Sequence, residues 1–136
     1  MRAKIIGTGS FLPDKIVTND DLSAIVDTSD AWIQSRTGIQ KRHMVSSEAE
    51  TTLSMAVNAG QAAVADAGIS PKDLDLILVA TASSDFQTPS TACMVQKELG
   101  ASHAAAFDIN AACSGFLFAL NTVDAYFQAG IYRIFF

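Results

Sequence analysis

Cys113 stands in the run Phe107-Asp108-Ile109-Asn110-Ala111-Ala112-Cys113-Ser114-Gly115-Phe116, where an apolar strand hands over to a helix through small residues. The small neighbours leave the sulfur accessible. A thiol at a helix N-terminus faces unpaired backbone N–H groups and the positive end of the helix dipole, both of which favour the thiolate, the nucleophilic form. The same backbone donors would meet the oxyanion formed by attack on a thioester carbonyl, by the logic of a serine at a nucleophile elbow. Free cysteines are also common as small core residues, so this segment alone leaves Cys113 two readings, nucleophile or core.

Other reactive side chains carry weaker signals. Cys93 lies between Ala92 and Met94 without helix-start geometry of its own, and reads as core packing. His43 sits in a basic stretch and His103 before a strand; neither has a located acid or nucleophile beside it, so surface or structural roles are expected. No metal-ligand spacing connects these residues. Taken alone, Trp32 reads as a partly buried core residue and Arg36 as a solvated helix end.

The elements that must position these groups follow from punctuation and period. Ala3–Ser10 reads as a short strand with a glycine-containing turn, closed by Leu12-Pro13. Asn19 is expected to cap a helix over Asp20–Val26, and Ser29 a second one running through Ile33 to Arg36, with Gly38 as its stop. Leu53, Val57, Gly60, Val64 and Ala67 recur at alternating spacings of four and three, which predicts a helix from Thr52 to Ala67 stopped by Gly68. The small residues Ala56, Gly60 and Ala63 would let it sit close to a neighbour. Ser70-Pro71 fits a brief helical turn, and the unbroken apolar run Leu76–Ala80 a strand buried on both faces. Thr88 with Pro89 is expected to open a helix to Leu99, ended by Gly100; a strand over Ala104–Ile109 and a helix from Ser114 to Ala129 follow. Ile131–Phe136 has strand composition, and the chain stops within it. Strands alternating with helices indicate an α/β layer around a mostly parallel sheet.

Composition bounds the function classes. The 136 residues are 49% hydrophobic and 17% charged, which fits one globular domain, or part of one, rather than a disordered tail. Nine basic against fourteen acidic residues give a net charge of −5, so nucleic acid is not the expected partner. Six of the nine basic residues (Arg2, Lys4, Lys15, Arg36, Lys41, Arg42) lie in the first 42 positions, where any phosphate contact belongs. Eight of the eleven aromatic residues fall between Phe107 and Phe136, an end that should therefore be buried. Two cysteines make no disulfide framework, and no run approaches the ~18–20 apolar residues that span a bilayer. Met1–Gly7 is too short an apolar run for a signal peptide. A soluble cytoplasmic protein with free thiols is expected.

Several of these segments, in order, resemble β-ketoacyl-acyl carrier protein synthase III, the condensing enzymes that initiate bacterial fatty acid synthesis. The resemblance runs through Lys4–Ser10, Leu12-Pro13, Thr28-Ser29-Asp30, Trp32-Ile33, Arg36-Thr37-Gly38-Ile39, Arg42-His43, Val79-Ala80-Thr81, Pro89-Ser90, Ala92-Cys93 and Ala111–Phe116. It implies a thiolase-like fold, an α/β/α/β/α body of two similar halves, with residues 1–136 as the N-terminal half and the C-terminal half absent. It implies that Cys113 takes an acyl group, usually acetyl, from acyl-coenzyme A, and that malonyl-acyl carrier protein then decarboxylates and attacks the acyl-cysteine. Trp32 matches a residue that stacks on the adenine of coenzyme A, and Arg36 and Thr28 match contacts to its nucleotide end. An indole face suits a purine and a guanidinium suits phosphate.

Two departures accompany the resemblance. The histidine and asparagine that serve decarboxylation in the family come from its second half and have no counterpart here, so this chain alone should not complete the condensation. Thr88 occupies a position where acetyl-preferring members carry a phenylalanine that reaches across a homodimer interface and shortens the partner's acyl pocket. Tolerance for longer or branched acyl groups is therefore expected. No metal and no cofactor is implied, acyl-coenzyme A being a substrate. The alternatives are another thiolase-superfamily condensing enzyme with a different acceptor, such as a plant-type polyketide or alkylquinolone synthase, and a non-catalytic, dimerising fragment.

Overall fold

The computed structural model describes residues 3–136; Met1 and Arg2, the latter among the basic residues counted above, lie outside them. The chain forms two compact units, one of Leu12–Glu50 and one of residues 3–11 together with Thr51–Phe136.

In the Leu12–Glu50 unit the elements run β1 (Ile16–Thr18), α1 (Asn19–Ser23), α2 (Asp30–Thr37) and β2 (Lys41–His43). The strands pair antiparallel, Ile16 opposite His43 and Thr18 opposite Lys41. Neither strand was predicted, since three residues show no readable period. The first helix also departs from expectation: its cap is Thr18, not Asn19, and it ends at Ser23 rather than Val26. The Thr18 hydroxyl accepts from the Asp21 N–H while the Asp21 carboxylate accepts from the Thr18 backbone, a reciprocal capping box that leaves Asn19 free to turn inward. The second helix is as predicted, capped by Ser29 and stopped by Gly38 at φ 72°, a left-handed conformation that glycine adopts without cost.

The larger unit holds α3 (Thr52–Ala67), β3 (Leu76–Ala80), α4 (Thr91–Leu99), β4 (Ala105–Ile109) and α5 (Gly115–Gln128). β3 and β4 pair in parallel with Leu76 opposite Ala105, and α4 is the crossover between them. On the other side of β3 the terminal run adds a parallel bridge, Leu76 to Phe135, with the Leu78 N–H donating to the Phe136 carbonyl at 2.7 Å. β3 is thus the middle strand, and Leu76 and Ile77 are fully buried. The core is Val64, Leu74, Ile77, Ala92, Val95, Leu99, Ala101 and Ala104, from α3, β3, α4 and their connections. Each fully buried Leu, Ile or Val there contributes roughly 1.5–3 kcal/mol.

Three expectations are corrected in this unit. The run Ala3–Ser10 is not a strand; it lies along α3, where a Cβ on Gly7 would stand 2.5 Å from the Ala63 carbonyl oxygen and one on Gly9 2.1 Å from that of Ala59. Thr88-Pro89 does not open α4: Ser90 caps it, and the Asp108 carboxylate of β4 accepts from the Thr91 and Ala92 N–H groups at 2.8 and 2.7 Å. The aromatic-rich end is not uniformly buried, for Phe116, Leu117, Phe118 and Leu120 of α5 are exposed. The helix packs on β3 through one stripe, Gly115 against Ala80, and its composition says nothing of which other stripe has a partner.

Candidate active site

β4 ends at Ile109, and the chain turns through Asn110 and Ala111 into a single 3-10 turn, Ala112–Ser114, before α5 begins at Gly115. Gly115 is buried against the end of β3, where an added Cβ would stand 3.0 Å from the Ala80 Cβ. The close approach explains the glycine and fixes where the helix starts. Ala112 has φ 43°, the only residue besides glycine in the left-handed region among the described residues. Such a conformation costs a non-glycine residue on the order of 1–3 kcal/mol and persists only where the surroundings over-determine it. Here β4, pinned to α4 through Asp108, and α5, seated on Ala80, leave the intervening residues one path. The result lifts Cys113 out of the packing: its thiol is free and exposed, so it is not a core residue of this chain.

The other predicted side chains gather on α2 and its N-terminal loop. The Ser29 hydroxyl accepts from the Trp32 N–H at 3.2 Å, setting the first turn of the helix. Trp32 is 57% exposed, against the expectation of partial burial for a lone tryptophan. The Arg36 guanidinium carbon lies 5.5 Å from the indole centroid, one turn further along the same face. Asp27, Thr28, Ser29 and Trp32 line an open recess of about 310 Å³. The Thr28 hydroxyl beside it is buried without a hydrogen-bond partner, as is that of Thr91 in α4. A buried hydroxyl with no partner is costly to leave unmade, and at the edge of a recess it is a ready contact for a ligand's polar atom. Thr28, Trp32 and Arg36 are therefore brought together within one unit, while Cys113 and Thr88 belong to the other.

Thr88 is exposed in the loop between β3 and α4. Cys93 was expected in the core and is exposed, because α4 turns Ala92, Val95 and Leu99 inward and leaves residue 93 on the outer side; its sulfur lies 3.6 Å from the Ala106 carbonyl oxygen. His43 is partly buried with Nδ1 bonded to the Pro13 carbonyl, and His103 is exposed. No group of three His, Cys, Asp or Glu side chains among the described residues is placed to hold a metal ion. Sequence reasoning missed two features, the left-handed Ala112 and the buried Asn19. The second was legible: Thr18 with Asp21 three residues on is a capping-box signature, which releases Asn19 from the cap.

Residues 107–135, which include Cys113, match the profile of the 3-Oxoacyl-[acyl-carrier-protein (ACP)] synthase III family. A β-ketoacyl-[acyl-carrier-protein] synthase III of Clostridium acetobutylicum is 54% identical over 130 residues, which cover 96% of this chain and 39% of that protein. The crystal structure of a 3-oxoacyl-[acyl-carrier-protein] synthase III from Aquifex aeolicus superposes with a TM-score of 0.91 at 49% identity, covering 95% of this chain and 41% of that one. A priming β-ketosynthase of a polyketide biosynthetic pathway superposes with a TM-score of 0.89 at 34% identity, over 95% of this chain and 38% of that one. The chain spans about two-fifths of the length of the curated relatives it matches. The thiolase-like α/β expectation agrees with these neighbours.

Proposed function

We propose that this chain is part of a 3-oxoacyl-[acyl-carrier-protein] synthase III, the proteins it is similar to over nearly its whole length, and that it carries the acyl-accepting cysteine of a condensing enzyme that starts fatty acid synthesis. The Cys113 sulfur attacks the thioester carbonyl of an acyl-coenzyme A, a new carbon–sulfur bond forms, and coenzyme A leaves as its thiol. Malonyl-acyl carrier protein then loses CO2, and its carbanion attacks the acyl-cysteine, releasing Cys113 and the 3-oxoacyl carrier protein. Cys113 serves the acyl-loading step, and the resemblance places the histidine and asparagine of decarboxylation in the family's second half. Trp32, Arg36 and Thr28 receive the nucleotide end of coenzyme A. Thioester exchange and decarboxylation need no resident cofactor, and a homodimer in the cytoplasm is the expected setting. No helix among the described residues is long and apolar enough to cross a membrane.

The observation that carries the reading is the exposed Cys113 immediately after the left-handed Ala112. A strained residue held directly before an exposed nucleophile is a costly arrangement, and such strain clusters at reactive sites. An intact mass spectrum before and after incubation with acetyl-coenzyme A tests it. An acetyl adduct that disappears in Cys113→Ser is expected; an adduct that survives the substitution, or none in the full-length protein, overturns the assignment. A second reading, a priming synthase with another acyl acceptor, draws on the likeness to the polyketide priming enzyme. Condensation rates with carrier-protein-bound and coenzyme A-bound malonyl groups separate the two.

A further inference from the structure

Asn19, in the first turn of α1, is 1% exposed and engages both ends of its side-chain amide. Its Nδ2 donates to Asp30 Oδ1 and to the Ile39 carbonyl, each at 2.8 Å, and its Oδ1 accepts from Arg42 Nη2 at 2.6 Å. Asp30 is the first residue of α2, and Ile39 follows Gly38, the residue that ends it. One amide nitrogen therefore holds both ends of the helix that displays Trp32 and Arg36. The oxygen is anchored in turn, since Arg42 Nη1 donates to the Val17 carbonyl at 3.2 Å and so ties the amide to the β1–β2 pair.

α2 has little else to fix it. It is eight residues long and none of them is buried. A helix of that length is not stable by itself in water, and only Asp30 and Ile33 of it are half-buried, so apolar packing supplies little of its orientation. Both donors of Asn19 are used, both point at α2, and a buried, fully paired polar group specifies one geometry because any displacement leaves it unpaired.

We propose that Asn19 is the positioning residue of the nucleotide contact: it holds α2 at both ends so that the Trp32 indole and the Arg36 guanidinium form one preformed surface for the nucleotide end of coenzyme A. This rests on the reading of Trp32 and Arg36 as nucleotide contacts. Asn19 is buried beneath the surface and acts through α2. Preformation lowers the ordering cost of binding, so its loss weakens the affinity for ligands that reach α2 and leaves the reaction at the cysteine unchanged.

The test compares two substrates in the full-length protein, acetyl-coenzyme A and acetyl-pantetheine, which lacks the nucleotide end. Asn19→Ala is expected to raise KM for acetyl-coenzyme A about tenfold with kcat within about twofold, and to leave kcat/KM for acetyl-pantetheine unchanged. Asp30→Ala, which cuts one tie and leaves Asn19 in place, is expected to move KM in the same direction by less, and keeps the proposal testable where Asn19→Ala does not fold. Equal losses on both substrates, or no loss on either, overturn it, the first by showing a merely structural role. Trp32→Ala separates the levels. Where it leaves the KM for acetyl-coenzyme A unchanged, the nucleotide assignment falls and this proposal with it; where it raises that KM and Asn19→Ala does not, only this proposal falls.

Discussion

Ala112, at φ 43°, directly precedes Cys113, whose thiol is exposed. The alanine is the smallest side chain that pays the left-handed penalty at all, and glycine would relieve it. Ala112→Gly is expected to fold with stability equal to wild type or up to about 1 kcal/mol higher, and to keep the rate of Cys113 acylation within a few-fold. Ala112→Val adds a β-branch to the same backbone and is expected to cost about 2–4 kcal/mol and to slow acylation. Thermal unfolding and the rate of the acetyl adduct by mass spectrometry check both. A valine variant as stable and as reactive as wild type would mean that the turn relaxes freely and that the strain is not held by β4 and α5.

The residues that define α3 show why so much of the fold could be read in advance. Its apolar spacing and Gly68 predict Thr52–Ala67, the bounds observed, because periodicity and a glycine stop are local. The same holds for Ser29 and Gly38 around α2. β1 and β2 were unreadable for the opposite reason: Ile16 finds His43 across twenty-six intervening residues and two helices, a long-range pairing with no local period. The site divides along the same line. Cys113 and Trp32 are chemically conspicuous residue types, whereas the left-handed turn at Ala112 is imposed by its neighbours, since nothing intrinsic to alanine favours it. The exposed face of α5 is not legible in the sequence, because aromatic content measures how much could be buried and is silent on what lies opposite.

Gly9 predicts a sharp stability effect. An added Cβ would stand 2.1 Å from the Ala59 carbonyl oxygen and 2.4 Å from the Ala63 nitrogen, backbone atoms of α3 that cannot rotate away. Gly9→Ala is expected to destabilise by about 1–3 kcal/mol, the range of overpacking substitutions, and to lift the segment off the helix. The Thr8 N–H, which donates to Asp66 at 2.8 Å, should then lose its protection against hydrogen exchange. Gly60→Ala is expected to cost less, because the nearest atoms, at 2.9 Å, belong to the Phe136 ring and a side chain can shift. Equal stability of wild type and Gly9→Ala would show that residues 7–9 do not lie against α3 in solution.

Thr88 bears on acyl-chain choice. It is exposed two residues before the Ser90 cap of α4, at the position where the resemblance places a phenylalanine that limits the acyl pocket. A threonine leaves more volume than a phenyl ring, so the full-length protein is expected to accept longer or branched acyl-coenzyme A substrates. Thr88→Phe should lower kcat/KM for a branched five-carbon substrate relative to acetyl about tenfold, equivalent to one or two methylenes of lost fit. Phe86, 60% exposed nearby in sequence, is the natural candidate to refill the space, and Phe86→Ala controls for it. A wild-type protein that accepts acetyl alone rejects the argument.

The acid side of the stability profile follows from three carboxylates in the Leu12–Glu50 unit. Asp21 is held below the usual carboxylate range first by the Thr18 hydroxyl, at 2.6 Å, and then by the Thr18 backbone N–H. Asp30 is lowered by the Gln34 amide, at 2.6 Å, and next by Asn19. Glu50 is lowered chiefly by the Ser46 N–H, at 2.6 Å. With folded-state pKa values depressed, the unfolded chain takes up protons first as the pH drops. The stability these bonds supply is therefore complete above the ordinary carboxylate pKa near ~4 and is lost as the pH falls through the lowered values. Trp32, the single tryptophan of the chain, lies in this unit and reports its unfolding by fluorescence. Urea midpoints are expected to be level from about pH 7 to about 5.5 and to fall below about pH 4, with a shallower fall in Asp21→Asn and Glu50→Gln. A midpoint that holds steady into strong acid, or variants whose acid slope matches wild type, would show that these capping carboxylates do not stabilise the unit.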